Sequence, residues 1–214
     1  MKLSTSKWRV VLVFWTIAVV MGIIIFKDAV ATFRDPIDLN QAQITDVKDM
    51  DHVKMDVSLC IGAAFQETTT TKSKWTGKEK SSSEQRYYLI PMFKETSDSV
   101  SVDRVFVIKV GQNRFNMYEN ATEKFWNYWE DENATLPTDI IESIDGRINK
   151  MGKEESDYLA RALTEYGLDS SMVGAYYVTT LPEKKTLLIM MTFSAVCFVI
   201  GLLLAVFWRK NKNF

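Results

Sequence analysis

Histidine, cysteine and proline are scarce in this 214-residue chain, which has one His, two Cys and four Pro. A single histidine excludes a His-rich metal centre. Any Ser-His-Asp or Cys-His arrangement would have to use His52, and no Gly-x-Ser-x-Gly elbow accompanies it. Phosphate loops, dinucleotide fingerprints and Cys-x-x-Cys pairs are also missing, and the composition implies no cofactor. Cys60 lies in the domain between two oily runs and Cys197 near the centre of the second run, one in water and the other at membrane depth. Residues so placed do not come within the ~7 Å Cα separation a disulfide needs. The roughly 150 residues between the oily stretches must therefore be held by a core, and that length suffices.

Acidic residues are absent from both ends. The first nine residues carry Lys2, Lys7 and Arg9, and the last six carry Arg209, Lys210 and Lys212, while all 27 acids and the other 20 bases lie between them. The net charge of −1 is thus +3, −7 and +3 along the chain. No large basic surface remains to neutralise phosphates, which excludes a nucleic-acid partner.

Charged side chains are missing as well from two long apolar runs. Val10–Phe26 has 17 residues interrupted only by Thr16 and Gly22, and Leu187–Trp208 has 22 whose polar members are Thr192, Ser194 and Cys197. At ~1.5 Å per helical residue they reach about 26 Å and about 33 Å, against a ~30 Å hydrocarbon core, with Trp8 and a snorkelling Lys27 extending the first. Purely basic short termini belong in the cytoplasm by the positive-inside rule, although Lys27, Lys184 and Lys185 fall on the other side. The expected organisation is a basic N-terminus at 1–9, a first span at 10–26, an extracytoplasmic domain at 27–185, a second span at 186–208 and a basic tail at 209–214. A competing reading makes the N-terminus a signal peptide cleaved after Ala29-Val30-Ala31, leaving a single C-terminal span. The sequons at Asn120 and Asn133 and the Lys210-x-Lys212-x-x tail would fit an endoplasmic-reticulum membrane in a eukaryote.

Spans without ionisable groups are poor conduits for ions or protons. Ala18 and Gly22, and Cys197, Gly201 and Ala205, recur four apart, a spacing that lets helix backbones approach and could pack the spans together or dock a partner. The expected partners are the lipid bilayer and either another membrane protein or a second copy of the chain.

Between the spans the pattern predicts an α+β domain with an antiparallel sheet and about two helices. Val53 to Gly62 alternates apolar and polar residues, the mark of a half-buried strand. Tyr87–Phe93, whose Pro91 favours an edge or a bulge, Val100–Val110 and Ala175–Thr180 read as further strands. Ile140–Ile148 reads as a strand pair or bulged strand about the turn signal Asp145-Gly146. Lys153–Tyr166 has a helical stripe at Tyr158, Leu159, Ala162, Leu163 and Tyr166, with Gly167 after it. A second helix runs to Trp129, capped by Asn116 or Asn120, with Ala121, Phe125 and Trp129 on one side. Gln66–Arg86, rich in Thr, Ser and Lys, reads as a long hairpin loop whose one large apolar group is Trp75.

Candidate chemistry is sparse. His52 with Asp49 and Asp51 is the nearest approach to a metal site, lacks ligand spacing, and reads as a solvated strand entry. Four aromatics crowd residues 125–129, so some of Trp126, Tyr128 and Trp129 must face outward; with Trp75 they are the candidate contacts for a partner or ligand. The segments Pro36–Asn40, Tyr87–Pro91 and Ile144–Met151 resemble uncharacterised two-span membrane proteins of Gram-positive bacteria. That resemblance implies a bacterial cell membrane and supplies no catalytic residue. The expectation is a non-enzymatic, membrane-anchored extracytoplasmic binding or assembly module. The alternative is a tethered hydrolase of envelope polymers, which needs two carboxylates converging in a pocket near the aromatic helix.

Overall fold

The computed structural model describes residues 5–72, 79–95, 100–131 and 134–210. Its elements in chain order are α1 (Thr5–Thr32), β1 (Ile37–Asp38), β2 (His52–Val57), β3 (Gly62–Lys72), β4 (Glu79–Glu95), β5 (Val100–Gly111), α2 (Phe115–Glu130), β6 (Glu142–Lys150), α3 (Lys153–Glu165), β7 (Val173–Thr180) and α4 (Lys184–Lys210). They form two compact units, one of Met1–Arg34 with Leu181–Phe214 and one of Asp35–Thr180. Trp75 and Asn133 lie outside the described residues.

The first unit pairs α1 with α4. Each holds a stretch long and apolar enough to cross a membrane, only 17% of which is buried inside the protein, unlike the core helix of a soluble fold. Leu12, Ile23, Phe26, Leu203 and Phe207 are exposed along the two helices. Water would drive such a surface to aggregate, whereas lipid accommodates it. Lipid would offer no hydrophobic drive between the helices, so there close packing would have to hold them together. Trp15 supplies it by bringing the Cδ1–Nε1 edge of its indole against Gly201, where a Cβ would fall 2.4 Å from the indole Cδ1. The Ser194 hydroxyl donates to the Ala18 carbonyl at 3.0 Å, and Trp15 stacks on Phe198. Ala29-Val30-Ala31 lies within α1.

The second unit is built on one seven-stranded sheet in the order β1-β2-β6-β7-β5-β4-β3. It is mixed, not antiparallel as the sequence suggested, because β1 runs parallel to β2 and β5 parallel to β7. Two cores lie on its opposite faces. Along β4, Tyr87 and Leu89 join Leu159 and Leu163 of α3, while Tyr88 and Ile90 join Phe115, Tyr118 and Ala121 of α2. Strands covered on both sides are apolar on both sides, which is why Tyr87–Ile90 and Val105–Ile108 show no alternation.

Other expectations meet corrections with physical causes. The first strand stops at Val57, well short of Gly62, and Leu59, Cys60 and Ile61 are buried outside it. Much of the supposed loop after Gln66 is paired strand, running from Gln66↔Arg86 to Lys72↔Glu79 with one register shift between Thr71 and Lys72. Its outer part has no third strand, since β4 meets β5 only from Gln85↔Gly111 onward. Such a ribbon, exposed on both faces, needs no apolar alternation. Asp145-Gly146 is mid-strand and not a turn. A Cβ at Gly146 would sit 2.6 Å from Val178 Cγ1 and 3.1 Å from the Thr179 carbonyl, so the glycine serves close packing against β7. The start of α2 lacks a side-chain cap, from Asn116 or any other residue. Pro91 behaves as its chemistry requires, lying beyond the end of β3 and beside a bulge at Met92/Phe93.

Candidate functional site

Strand pairing sets three side chains in a row across one sheet face, because Phe65 of β3 lies opposite Tyr87 of β4, and Tyr87 opposite Lys109 of β5. Phe65 stacks on Tyr87 with ring centres 4.1 Å apart, and Tyr177 of β7 meets Tyr87 edge-on at 5.1 Å. Two residues further along β3, Glu67 turns to the same face. Its Oε2 accepts from Lys109 Nζ at 2.7 Å and from the Tyr87 hydroxyl at 3.2 Å.

Helix α3 closes the other side. Leu159 and Leu163 anchor it to the sheet, and this brings its first turn over Tyr87. There Glu155 Oε2 accepts the Gly152 N–H at 2.6 Å, while its Oε1 accepts from the Tyr87 hydroxyl at 3.1 Å. An anion is favoured at this helix end by the exposed N–H groups of the first turn. The result is a cleft of about 490 Å³ with Tyr87 at its base, Phe65 and Tyr158 as aromatic walls, and Glu67, Glu154, Glu155 and Lys153 among its polar lining.

Its electrostatics follow from these contacts. One phenolic hydrogen serves two carboxylates, so Tyr87 can donate to only one of them at a time. Burial foremost, then Tyr177, Glu155 and Glu67, push the Tyr87 phenol far above its ordinary pKa, and it stays neutral. The hydrogen bond from Lys109 is the main influence holding Glu67 below the usual carboxylate range, against a smaller opposing effect of burial. A hydrolytic pair needs one carboxyl kept protonated as a general acid. Glu67 is moved the opposite way, so it stays ionised and could serve such a pair only as its base or nucleophile, not as its acid.

The residues singled out from sequence do not converge here. Trp126 is half-buried; its Nε1–H donates to the Ile61 carbonyl at 2.9 Å and its ring stacks on Tyr166. Tyr128 meets Phe93 edge-on, and Trp129, 49% exposed, stacks on Phe125. Two carboxylates do converge in a concave pocket, but beside α3 and not beside the aromatic helix α2. His52 is no solvated strand entry. It is 2% exposed and its Nε2 lies 2.5 Å from Asp145 Oδ1. Asp49 accepts the Lys150 N–H and Asp51 the Lys48 N–H, so both neighbours hold backbone. Among the described residues no three His, Cys, Asp or Glu side chains gather as metal ligands. Ala18, Cys197 and Gly201 are buried in the helix pair, Gly22 approaches Ser194 Oγ at the margin of contact, and Ala205 is half-buried.

Phe65, Glu67, Lys109, Glu155 and Tyr177 were not singled out as site residues in the sequence, because long separations keep them from forming any local motif. The one available signal was the pair Tyr87-Tyr88 and Tyr176-Tyr177, two tyrosines each in an otherwise apolar strand. No curated protein matches the chain, and no solved structure does. One family profile matches residues 1–208, taking in both apolar helices and the sheet domain, and by it the chain belongs to the family described as a domain of unknown function (DUF8577).

Proposed function

We propose that the protein is a non-enzymatic binding or assembly module, anchored by two transmembrane helices in a bacterial cell membrane with Asp35–Thr180 on the outer side and both termini in the cytoplasm. The observation that carries this reading is the first unit: two interlocked helices, free of ionisable side chains through their apolar stretches and with their large apolar residues exposed. The family profile spans both helices and the domain, which supports treating them as one working unit. The orientation rests on the +3 charge at each end.

The test is side-specific labelling in intact cells by a membrane-impermeant maleimide. Cys60 and Cys197 are buried, so added thiols dominate the signal. Ser101→Cys should label in intact cells and Lys2→Cys only after lysis; the reverse pattern overturns the orientation. Purification in mild detergent that returned a bare monomer, without partner or self-association, would overturn the assembly role.

A tethered hydrolase is the second reading, favoured by the approach of Glu67 and Glu155 to one tyrosine hydroxyl. It requires turnover of an envelope polymer by the purified chain, lost on Glu155→Gln.

A further inference from the structure

We propose that the cleft beside α3 binds a primary alkylammonium group, the chemistry of a lysine side chain, an inference that rests on the binding-module reading and names its ligand class. A volume of about 490 Å³ lies within the ~300–1,000 Å³ of small-molecule sites. Its charged lining is three carboxylates against one ammonium, Glu67, Glu154 and Glu155 against Lys153. The walls of Phe65 and Tyr158 suit an alkyl stem, and an aromatic face attracts a cation, as Tyr158 already does the Arg161 guanidinium 5.4 Å from its ring centre.

The protein already contains an example of this recognition. The Lys109 ammonium sits 2.7 Å from Glu67 Oε2, 5.0 Å from the Tyr87 ring centre and 5.7 Å from that of Tyr177. This is the same pairing of carboxylate and aromatic face that the cleft offers from its open side. On that side Glu155 directs an oxygen to the Tyr87 hydroxyl and Glu154 meets the Tyr158 hydroxyl at 3.3 Å. A metal ion would want several converging ligands, which the described residues do not assemble. An alkylammonium wants one or two carboxylates and an apolar wall for its stem, which Glu154, Glu155 and the rings of Phe65 and Tyr158 offer.

The experiment is saturation-transfer NMR on the full chain in maltoside micelles, titrated with Nα-acetyl-lysine methylamide, its uncharged isostere Nα-acetyl-norleucine methylamide, and n-pentylamine. The lysine probe should bind at millimolar concentration or below, and the norleucine probe about tenfold more weakly. Tighter binding of the lysine probe than of pentylamine identifies a peptide source, and equal binding a free amine; either supports the site. Combined Glu154→Gln and Glu155→Gln should weaken binding about tenfold, while Trp129→Ala leaves it unchanged. Lys153→Gln removes the lining's one cation and should tighten binding about threefold, a gain that a folding defect does not produce. Equal binding of lysine and norleucine probes, no binding of either amine, or indifference to all three charge changes overturns the proposal. An inverted membrane orientation would leave this titration unaltered, so this inference and the topology fail separately.

Discussion

Replacing Gly201 by alanine sets two effects of opposite sign against each other. Helix propensity alone favours alanine over glycine by up to ~1 kcal/mol. The packing of the helix pair opposes it, because the added Cβ would lie 2.4 Å from Trp15 Cδ1 and 2.5 Å from its Nε1. Carbon atoms in contact prefer ~3.5–4.0 Å, so the indole or the helix axis must move by about 1 Å or more. Trp15 has little room to yield, being stacked on Phe198, and displacing α4 lengthens the 3.0 Å bond from Ser194 to the Ala18 carbonyl. Overpacking of this kind costs ~1–3 kcal/mol, more than the propensity gain. The full chain is therefore expected to unfold at a lower SDS fraction in mixed micelles when Gly201 becomes alanine. In a Trp15→Ala background the clash is gone and the same change should be neutral or stabilising. A double-mutant cycle reads the coupling directly. The reasoning fails if Gly201→Ala stabilises the wild-type chain, or if its effect is the same in both backgrounds.

Gly146→Ala should lower stability by ~1–3 kcal/mol in thermal or chemical denaturation, since the new methyl meets Val178 and the Thr179 carbonyl in mid-sheet; a neutral result would overturn this account of close packing. Because the folded pKa of Glu67 lies below its ordinary 4.5, the unfolded chain takes up that proton first on acidification. The stability Glu67 contributes is complete above about pH 4.5 and lost as pH falls through its folded value, so Lys109→Met should flatten that limb of a pH–stability curve. Cys60 behaves in the opposite sense. Burial is the main cause pushing its thiol from 9.0 up to about 12, so stability is lost as pH rises through that interval, and Cys60→Ala should remove this loss. At neutral pH the buried thiol should react with maleimide only on unfolding.

How much of this was legible in the sequence depended on where each residue finds its partner. Helix α3 could be read to within a residue because its stripe, its first-turn acids and Gly167, with φ of 68°, are all local. The two apolar helices were equally plain, since a long run without charged side chains shows on every turn. The parallel pairings of β1 with β2 and of β5 with β7 were not legible. Antiparallel hairpins announce themselves through a turn, whereas parallel neighbours are joined by long excursions without a signature. His52 was misjudged because alternation put it with Lys54 and Asp56, while its partner Asp145 is 93 residues away. The Thr- and Ser-rich arm passed for a loop because a ribbon without a buried face lacks the periodicity by which strands are recognised. The cleft depends on five elements, and only their pairing in space brings Phe65, Tyr87 and Lys109 into one row.

The place of β7 in the sheet also bears on the order in which the domain can form. It is the last strand to be synthesised, yet it joins β1-β2-β6 on one side to β5-β4-β3 on the other. The hairpin-linked run β3-β4-β5 can assemble early from near neighbours in the chain. Until residues 173–180 exist, the edges of β5 and β6 that later face β7 are both unpaired. A ribosome that stalls after β6 thus leaves two half-sheets with open, sticky borders, not a smaller domain. Completion of the sheet comes only a few residues before α4 begins at Lys184, so folding of the domain and emergence of the second apolar helix fall at nearly the same moment in the life of the nascent chain.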